Sequence, residues 1–222
     1  MAITLGSSGV VFPDGTTQSV KFDATDDRGS DVNDQKFFAT GTWYKPAGVR
    51  WIRVLVQGGG AGGGGHGECG GAGGFAEKWI DVSSWATSTA VTVTIGGGGA
   101  GVAYNNVSAS GGTTSFGAYV SATGGGGSNS SWGHTGGVAG VGSGGDINLR
   151  GGSGSGHNSE SGSQGGGSYF GGSMASAHHS APIHYYENNG YNCPGGGGSP
   201  TWTSHSRGAN GQPGCVIVYA YK

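Results

Sequence analysis

The stretch "SAHHSAPIHYYENNGYN", residues 176 to 192, brings His178, His179, His184, Tyr185, Tyr186, Glu187, Asn188, Asn189 and Tyr191 into one short segment. Aromatic bodies beside amide, phenol and imidazole groups can stack on the apolar face of a sugar ring or form a protein-binding surface. Two smaller groups repeat the combination with one aromatic each, Trp132-Gly133-His134 and Trp202-Thr203-Ser204-His205. The candidate receptor-binding set is therefore His178, His179, His184, Tyr185, Tyr186, Tyr191, Trp132, His134, Trp202 and His205. A structural reading stands beside it, in which the tyrosines cover neighbouring backbone and the histidines are simply solvated. Aromatic rings exposed on loops carry more functional weight than buried ones.

His66-Gly67-Glu68-Cys69 offers three donor types in four residues, which raises the question of a metal. In an extended chain His66 and Glu68 point one way and Cys69 the other. A second ligand set with a recognised spacing is missing as well. Turn-forming polar residues that interrupt a glycine run are the better account, and neither a metal nor a cofactor is expected.

Catalytic constellations are equally thin. Of the twelve carboxylates only Asp146, Glu160 and Glu187 fall between residues 82 and 214, and neither a G-x-S-x-G elbow nor a paired-carboxylate pattern occurs. "GGGAGGGG" lacks the Lys-Ser/Thr that completes a phosphate loop. An enzyme is not expected. Ten basic against twelve acidic residues give a net charge of −2 without a basic stripe, so nucleic acid is not an expected partner. Nor do about 20 consecutive apolar residues occur, and membrane insertion is not expected either. The opening "MAITLGSSGV" lacks the charged start and apolar run of a signal peptide. Cys69, Cys193 and Cys215 are odd in number and widely spaced, which suits buried thiols better than a disulfide framework.

The elements that would position these groups are unusual. Glycine supplies 55 of 222 residues, and all but six lie between residues 58 and 214. Side chains cannot fill a conventional core there. "ITLGSSGVVFPDGTTQSVKF" reads as a hairpin about Pro13-Asp14-Gly15. Residues 23 to 36 hold seven charged residues and read as a linker, so the expected division is 1–35 and 36–222. Strand-like runs follow at Trp43-Tyr44, Trp51 to Val56, "FAEKWIDVSSW", "TAVTVTIG", "TTSFGAYVSATG" and "GCVIVYAYK". Trp51 to Val56 is apolar enough to suggest burial on both faces. Helical periodicity is lacking, and the expected fold is all-β.

The glycine blocks between these runs, "GGGGAG", "GGVAGVGSGG", "GGSGSG" and "PGGGGS", could be flexible linker or ordered structure. The apolar strand Cys215 to Tyr219 at their far end has to pair with earlier strands, which ties the region down at both ends. Without Cβ atoms, polyproline-II-like segments can approach as closely as in collagen and bond through their backbones. The expected architecture is a β-sandwich whose glycine-rich insertions pack as such segments. The sparse other residues are expected to point outward or to sit at turns, where loop tips provide recognition.

Four motifs in order carry a family resemblance: the entrance from Gly41 to Gly65, the strand Val91 to Gly99, the turn Gly111 to Gly117 and the closing Gly208 to Tyr219. In this order they resemble the glycine-rich domains of bacteriophage tail-fibre and receptor-binding proteins, over roughly residues 37 to 222. "ITLGSSGVVFPDGTTQS" is similar to a segment of phage tail fibres, especially those of cyanophages. The resemblance implies a virion adhesin that acts extracellularly, is often a homotrimer, and binds a host cell-surface receptor, a glycan or an outer-membrane component. It also implies attachment to other tail or baseplate proteins through residues 1–35. A purely structural decoration of the virion and a polysaccharide-degrading tailspike are the alternatives. A coiled-coil or repeated shaft, as long fibres have, is missing from this sequence.

Overall fold

Valine and isoleucine at alternate positions, as in Ala90-Val91-Thr92-Val93-Thr94, give a strand with one wet and one dry face, and here Val91 and Val93 are buried between exposed neighbours. The computed structural model describes residues 34–64, 67–103, 106–128, 135–156, 163–171, 193–200 and 207–222, with the backbone of three short strands before them. The chain divides into two compact units, Met1–Val32 and Asn33–Lys222.

In the first unit β1 (Thr4–Gly6) pairs with β2 (Gly9–Val11), and β2 pairs across Pro13-Asp14-Gly15 with β3 (Thr17–Gln18), all antiparallel. In the second unit the strands are β4 (Gln35–Phe37), β5 (Gly41–Tyr44), β6 (Trp51–Gln57), β7 (Phe75–Asp81), β8 (Ala90–Thr94), β9 (Thr114–Phe116), β10 (Val120–Ala122), β11 (Gly142–Ser143), β12 (Ile147–Leu149) and β13 (Cys215–Tyr221). They form two five-stranded antiparallel sheets, β11-β10-β9-β8-β5 and β12-β7-β6-β13-β4. The expected all-β fold holds.

The sheets face each other through β6, β7, β9, β10 and β13, with Trp43, Ile52, Val54, Val56, Val93, Phe116, Val216 and Val218 between them. Trp43 meets Phe116 edge-on at 5.7 Å, a favoured aromatic geometry. The chain crosses between sheets at both edges, from β4 to β5 and from β11 to β12. Gly144 makes the second crossing possible with a φ of 76°, a value that L side chains resist.

Two expectations need correction. β6 is buried through Ile52, Val54 and Val56 on one face, while its other face is exposed at Trp51, half-buried at Arg53 and buried only from Leu55 on, so burial on both faces holds for the second half of the strand and not the first. β11 and β12 lie inside the stretch that had read as glycine blocks. Two and three residues are too few to show a period of two against the surrounding glycine.

Candidate functional site: the glycine bundle and its outer end

At Gln57 the strand β6 leaves the sheet, and the hydrogen bonds of the next residues change direction in a fixed order. The N–H groups of Gly58, Ala61 and Gly64 donate to the carbonyls of Gly74, Gly71 and Glu68. Those of Gly59 and Gly62 donate to Gly112 and Ala109, and those of Gly60 and Gly63 to Gln212 and Ala209. Each neighbouring segment is therefore revisited every third residue, the repeat of a polyproline-II helix. The carbonyls of Gly59, Gly60 and Ala61 accept from Gly125, Gly99 and Gly198, so one segment is bonded to six others.

The returning segment obeys the same rule. Cys69 and Ala72 donate to Ser155 and Gly152, Gly70 and Gly73 to Gly198 and Gly195, and Gly71 and Gly74 to Gly126 and Thr123. These bonds run from 2.9 to 3.1 Å, ordinary backbone lengths. A Cβ on Gly60 would overlap the carbonyl of Gly196, and one on Gly63 that of Ser199. Glycine is required because the neighbouring backbone occupies the space a side chain needs.

Five out-and-back pairs make up the described bundle: 58–64 with 68–74, 96–103 with 106–113, 123–128 with 135–141, 151–156 with 163–167, and 195–200 with 207–214. All are rooted at the sandwich. There Gln57, fully buried, donates its amide to the carbonyls of Gly73 at 2.9 Å, Gly74 at 3.0 Å and Gly58 at 3.3 Å. Its carbonyl oxygen accepts the Tyr169 N–H at 3.3 Å, and the Tyr169 ring stacks on Phe75 with centroids 3.7 Å apart.

At the outer end the same segments meet again. Gly64 bonds to Glu68, Val102 to Gly63, Gly208 to Val102, Ser128 to Ser108 and Gln164 to Ser155. The expectation that residues other than glycine avoid the bundle interior is corrected. Ala61, Ala72 and Cys69 have no exposed surface, and Glu68 and Ser128 are buried at this end. The Cys69 thiol lies 3.3 Å from the Ser155 hydroxyl, and burial pushes its pKa up to about 12. Such a thiol is neither nucleophilic nor a ready metal ligand at neutral pH. Among the described residues no group of three His, Cys, Asp or Glu side chains is placed to hold a metal ion. His66 lies outside the described residues.

The ten candidate residues, Trp132, His134, His178, His179, His184, Tyr185, Tyr186, Tyr191, Trp202 and His205, likewise lie outside the described residues. Their flanks are described, and they separate the set. Ser128 and Thr135, which bracket Trp132 and His134, and Pro200 and Arg207, which bracket Trp202 and His205, belong to the outer end. The stretch with His178 to Tyr191 is bracketed by Gly171 and Cys193. Gly171 bridges to Ser168, and the Cys193 thiol is 3.6 Å from the Ser168 hydroxyl, next to Tyr169 and Gln57 at the sandwich end.

The sequence reading overlooked a cluster on the outer face of the sheet β12-β7-β6-β13-β4. Register aligns Tyr221, Trp51 and Asp81 in one row across β13, β6 and β7, and Tyr219, Arg53 and Trp79 in the next. Arg53 pairs with Glu77 through two bonds, Nε to Oε1 at 2.7 Å and Nη2 to Oε2 at 2.8 Å, which raises the arginine pKa further. The alternation of Trp51, Arg53 and Leu55 against Ile52, Val54 and Val56 was the available signal.

No curated protein matches this chain. A family model described as a glycine-rich domain matches residues 35–221.

Proposed function

The chain belongs to the family of glycine-rich domains, and we propose that it is a receptor-binding protein of a bacteriophage tail fibre. On this reading residues 1–35 attach it to other tail or baseplate proteins, it acts in the virion as a homotrimer, and the outer end of the bundle meets a host cell-surface receptor, a glycan or an outer-membrane component. The observation that supports it is the shared exit. Five out-and-back pairs share one outer end, and the described residues that flank Trp132, His134, Trp202 and His205 in the sequence, Ser128, Thr135, Pro200 and Arg207, belong to that end. A lattice bonded through the backbone of its segments does not depend on the side chains of the residues that connect them, so those residues can change with the receptor while the scaffold stays fixed.

The test is binding of fluorescently labelled protein to candidate host cells, with a Trp132→Ala/Trp202→Ala variant beside Tyr185→Ala/Tyr186→Ala. Saturable binding weakened at least about tenfold (1.4 kcal/mol) in the first variant alone is the expected result. Loss in the tyrosine variant alone moves the receptor face to the sandwich end. A folded, assembled protein that binds no host cell favours a structural virion role, and release of sugar ends from host polysaccharide favours a degrading spike.

A further inference from the structure

The outer face of β7, β6 and β13 carries aromatic side chains that neither the core nor the bundle uses. Trp51 is 46% and Trp79 44% exposed, although both sit on seven-residue strands. Trp79 stacks on Tyr221 with ring centroids 5.2 Å apart and an interplanar angle of 26°, which covers one face of the indole, and the residue keeps 44% of its surface exposed. Beside them the Arg53 guanidinium, doubly bonded to Glu77, lies 5.9 Å from the Tyr219 ring centroid. We propose that this face is a binding platform for a neutral glycan, distinct from the receptor face at the outer end and independent of it.

The ion pair decides between occupants. Glu77 uses one lone pair on each oxygen for Arg53, and Arg53 keeps the hydrogens of Nη1 free of that pairing. An apolar protein or lipid surface laid over them would bury the one-third-exposed guanidinium, whose remaining hydrogens would find no partner, a costly arrangement. A sugar ring has an apolar C–H face that fits an indole and a rim of hydroxyls that both donate and accept. It can cover Trp51 or Trp79 and still satisfy the guanidinium, while the Glu77 carboxylate stays buried beneath its pairing with Arg53.

Size points the same way. From β7 to β13 across β6 is two strand spacings, about 10 Å, and the two rows lie about 7 Å apart along the strands, so with the reach of the side chains the patch is on the order of 100 Å². A stable protein interface takes about 800 Å² per partner. Charge sets the class: Arg53 and Glu77 cancel, and Asp81 is offset by the nearby Arg50, so the platform offers no net positive charge to hold an acidic sugar. Strand backbones and the Trp79–Tyr221 stack hold the rings in place before binding, which lowers its entropic cost.

The experiment follows the indole N–H signals of the whole protein by NMR while maltohexaose, cellohexaose and chitohexaose are added to concentrations on the order of a millimolar. The expected result is a saturable shift of the Trp51 and Trp79 signals with at least one of the three, while Trp132 and Trp202 stay unchanged. Trp51→Ala and Trp79→Ala should each weaken that binding at least tenfold, with an unmoved Trp43 signal showing that the core is intact. Absence of any shift at Trp51 and Trp79, or unchanged affinity in both variants, overturns the proposal. Shifts confined to Trp132 and Trp202 overturn it too and speak for the outer end instead.

Discussion

Gln57 is the side chain on which the sandwich and the bundle meet. Its amide serves three carbonyls in a buried site where water cannot substitute, and its oxygen accepts one N–H at a half-buried one. Gln57→Leu keeps the volume and leaves the Gly58 and Gly73 carbonyls without their amide partner, each at about 1–3 kcal/mol, while the Gly74 carbonyl keeps the Gly58 N–H. A loss of at least about 2 kcal/mol by urea unfolding is expected, and a change within 0.5 kcal/mol, roughly the size of an exposed substitution, would mean that the amide is replaceable. In the sequence Gln57 only ends an apolar run, because its partners beyond the adjacent Gly58 come from segments 16 to 112 residues away in the chain order and nothing local announces them. The thiols were legible in part, since small isolated cysteines favour burial, which holds for two of the three while Cys193 is half-buried. Cys69 and Cys215 are buried, and desolvation moves each from an ordinary 9.0 to about 12. The folded state thus keeps two protons that the unfolded chain releases above pH 9.0, so their contribution to stability is complete below 9.0 and lost towards 12. Denaturant midpoints should fall as pH rises through that window, and the fall should be smaller in a Cys69→Ala/Cys215→Ala variant. An equal fall in both proteins would remove the thiols as the cause.

Among the elements, the glycine segments differ from strands in how they choose neighbours. A strand bonds to two partners in one plane, whereas segment 58–64 bonds to six around its axis. Tolerance to substitution should follow the lattice position. Gly60→Ala drives a methyl into the Gly196 carbonyl, while a Cβ on Gly97 meets nothing within 4 Å. The first is expected to cost about 3 kcal/mol or more, as overpacking does at its upper range, and the second to stay within about 0.5 kcal/mol. Equal thermal midpoints for the two variants would show that the bundle gives way locally. Long strands such as β6, β7, β8 and β13 were legible because β-branched and aromatic residues alternate or cluster in them. β11 and β12 were not, being too short to show a period. The buried Ala61, Ala72 and Glu68 were not legible either, since a run of glycine does not reveal which of its interruptions lies at a site wide enough for a side chain.

At the scale of the molecule, the second unit, Asn33–Lys222, contains a sandwich built by side chains and a bundle built by backbone. The sequence announces this division through composition, with apolar runs at the sheet and nearly all the glycine elsewhere. The candidate recognition residues were legible as types but not as places, because the pairing of distant glycine segments decides at which end each connection emerges. The bundle has a further consequence, for heat capacity. Unfolding a sandwich exposes apolar surface and raises heat capacity, but unfolding backbone-bonded glycine exposes mainly peptide groups, which lower it. Calorimetry should therefore give this chain a smaller heat-capacity increment than the usual 12–15 cal/mol/K or so per residue. A value inside that range would mean that the bundle adds nothing distinctive. A smaller one gives a shallow, wide stability curve, so a scaffold sewn together by its own peptide bonds keeps its shape over a broader span of temperature than an oil-cored protein of equal midpoint and unfolding enthalpy.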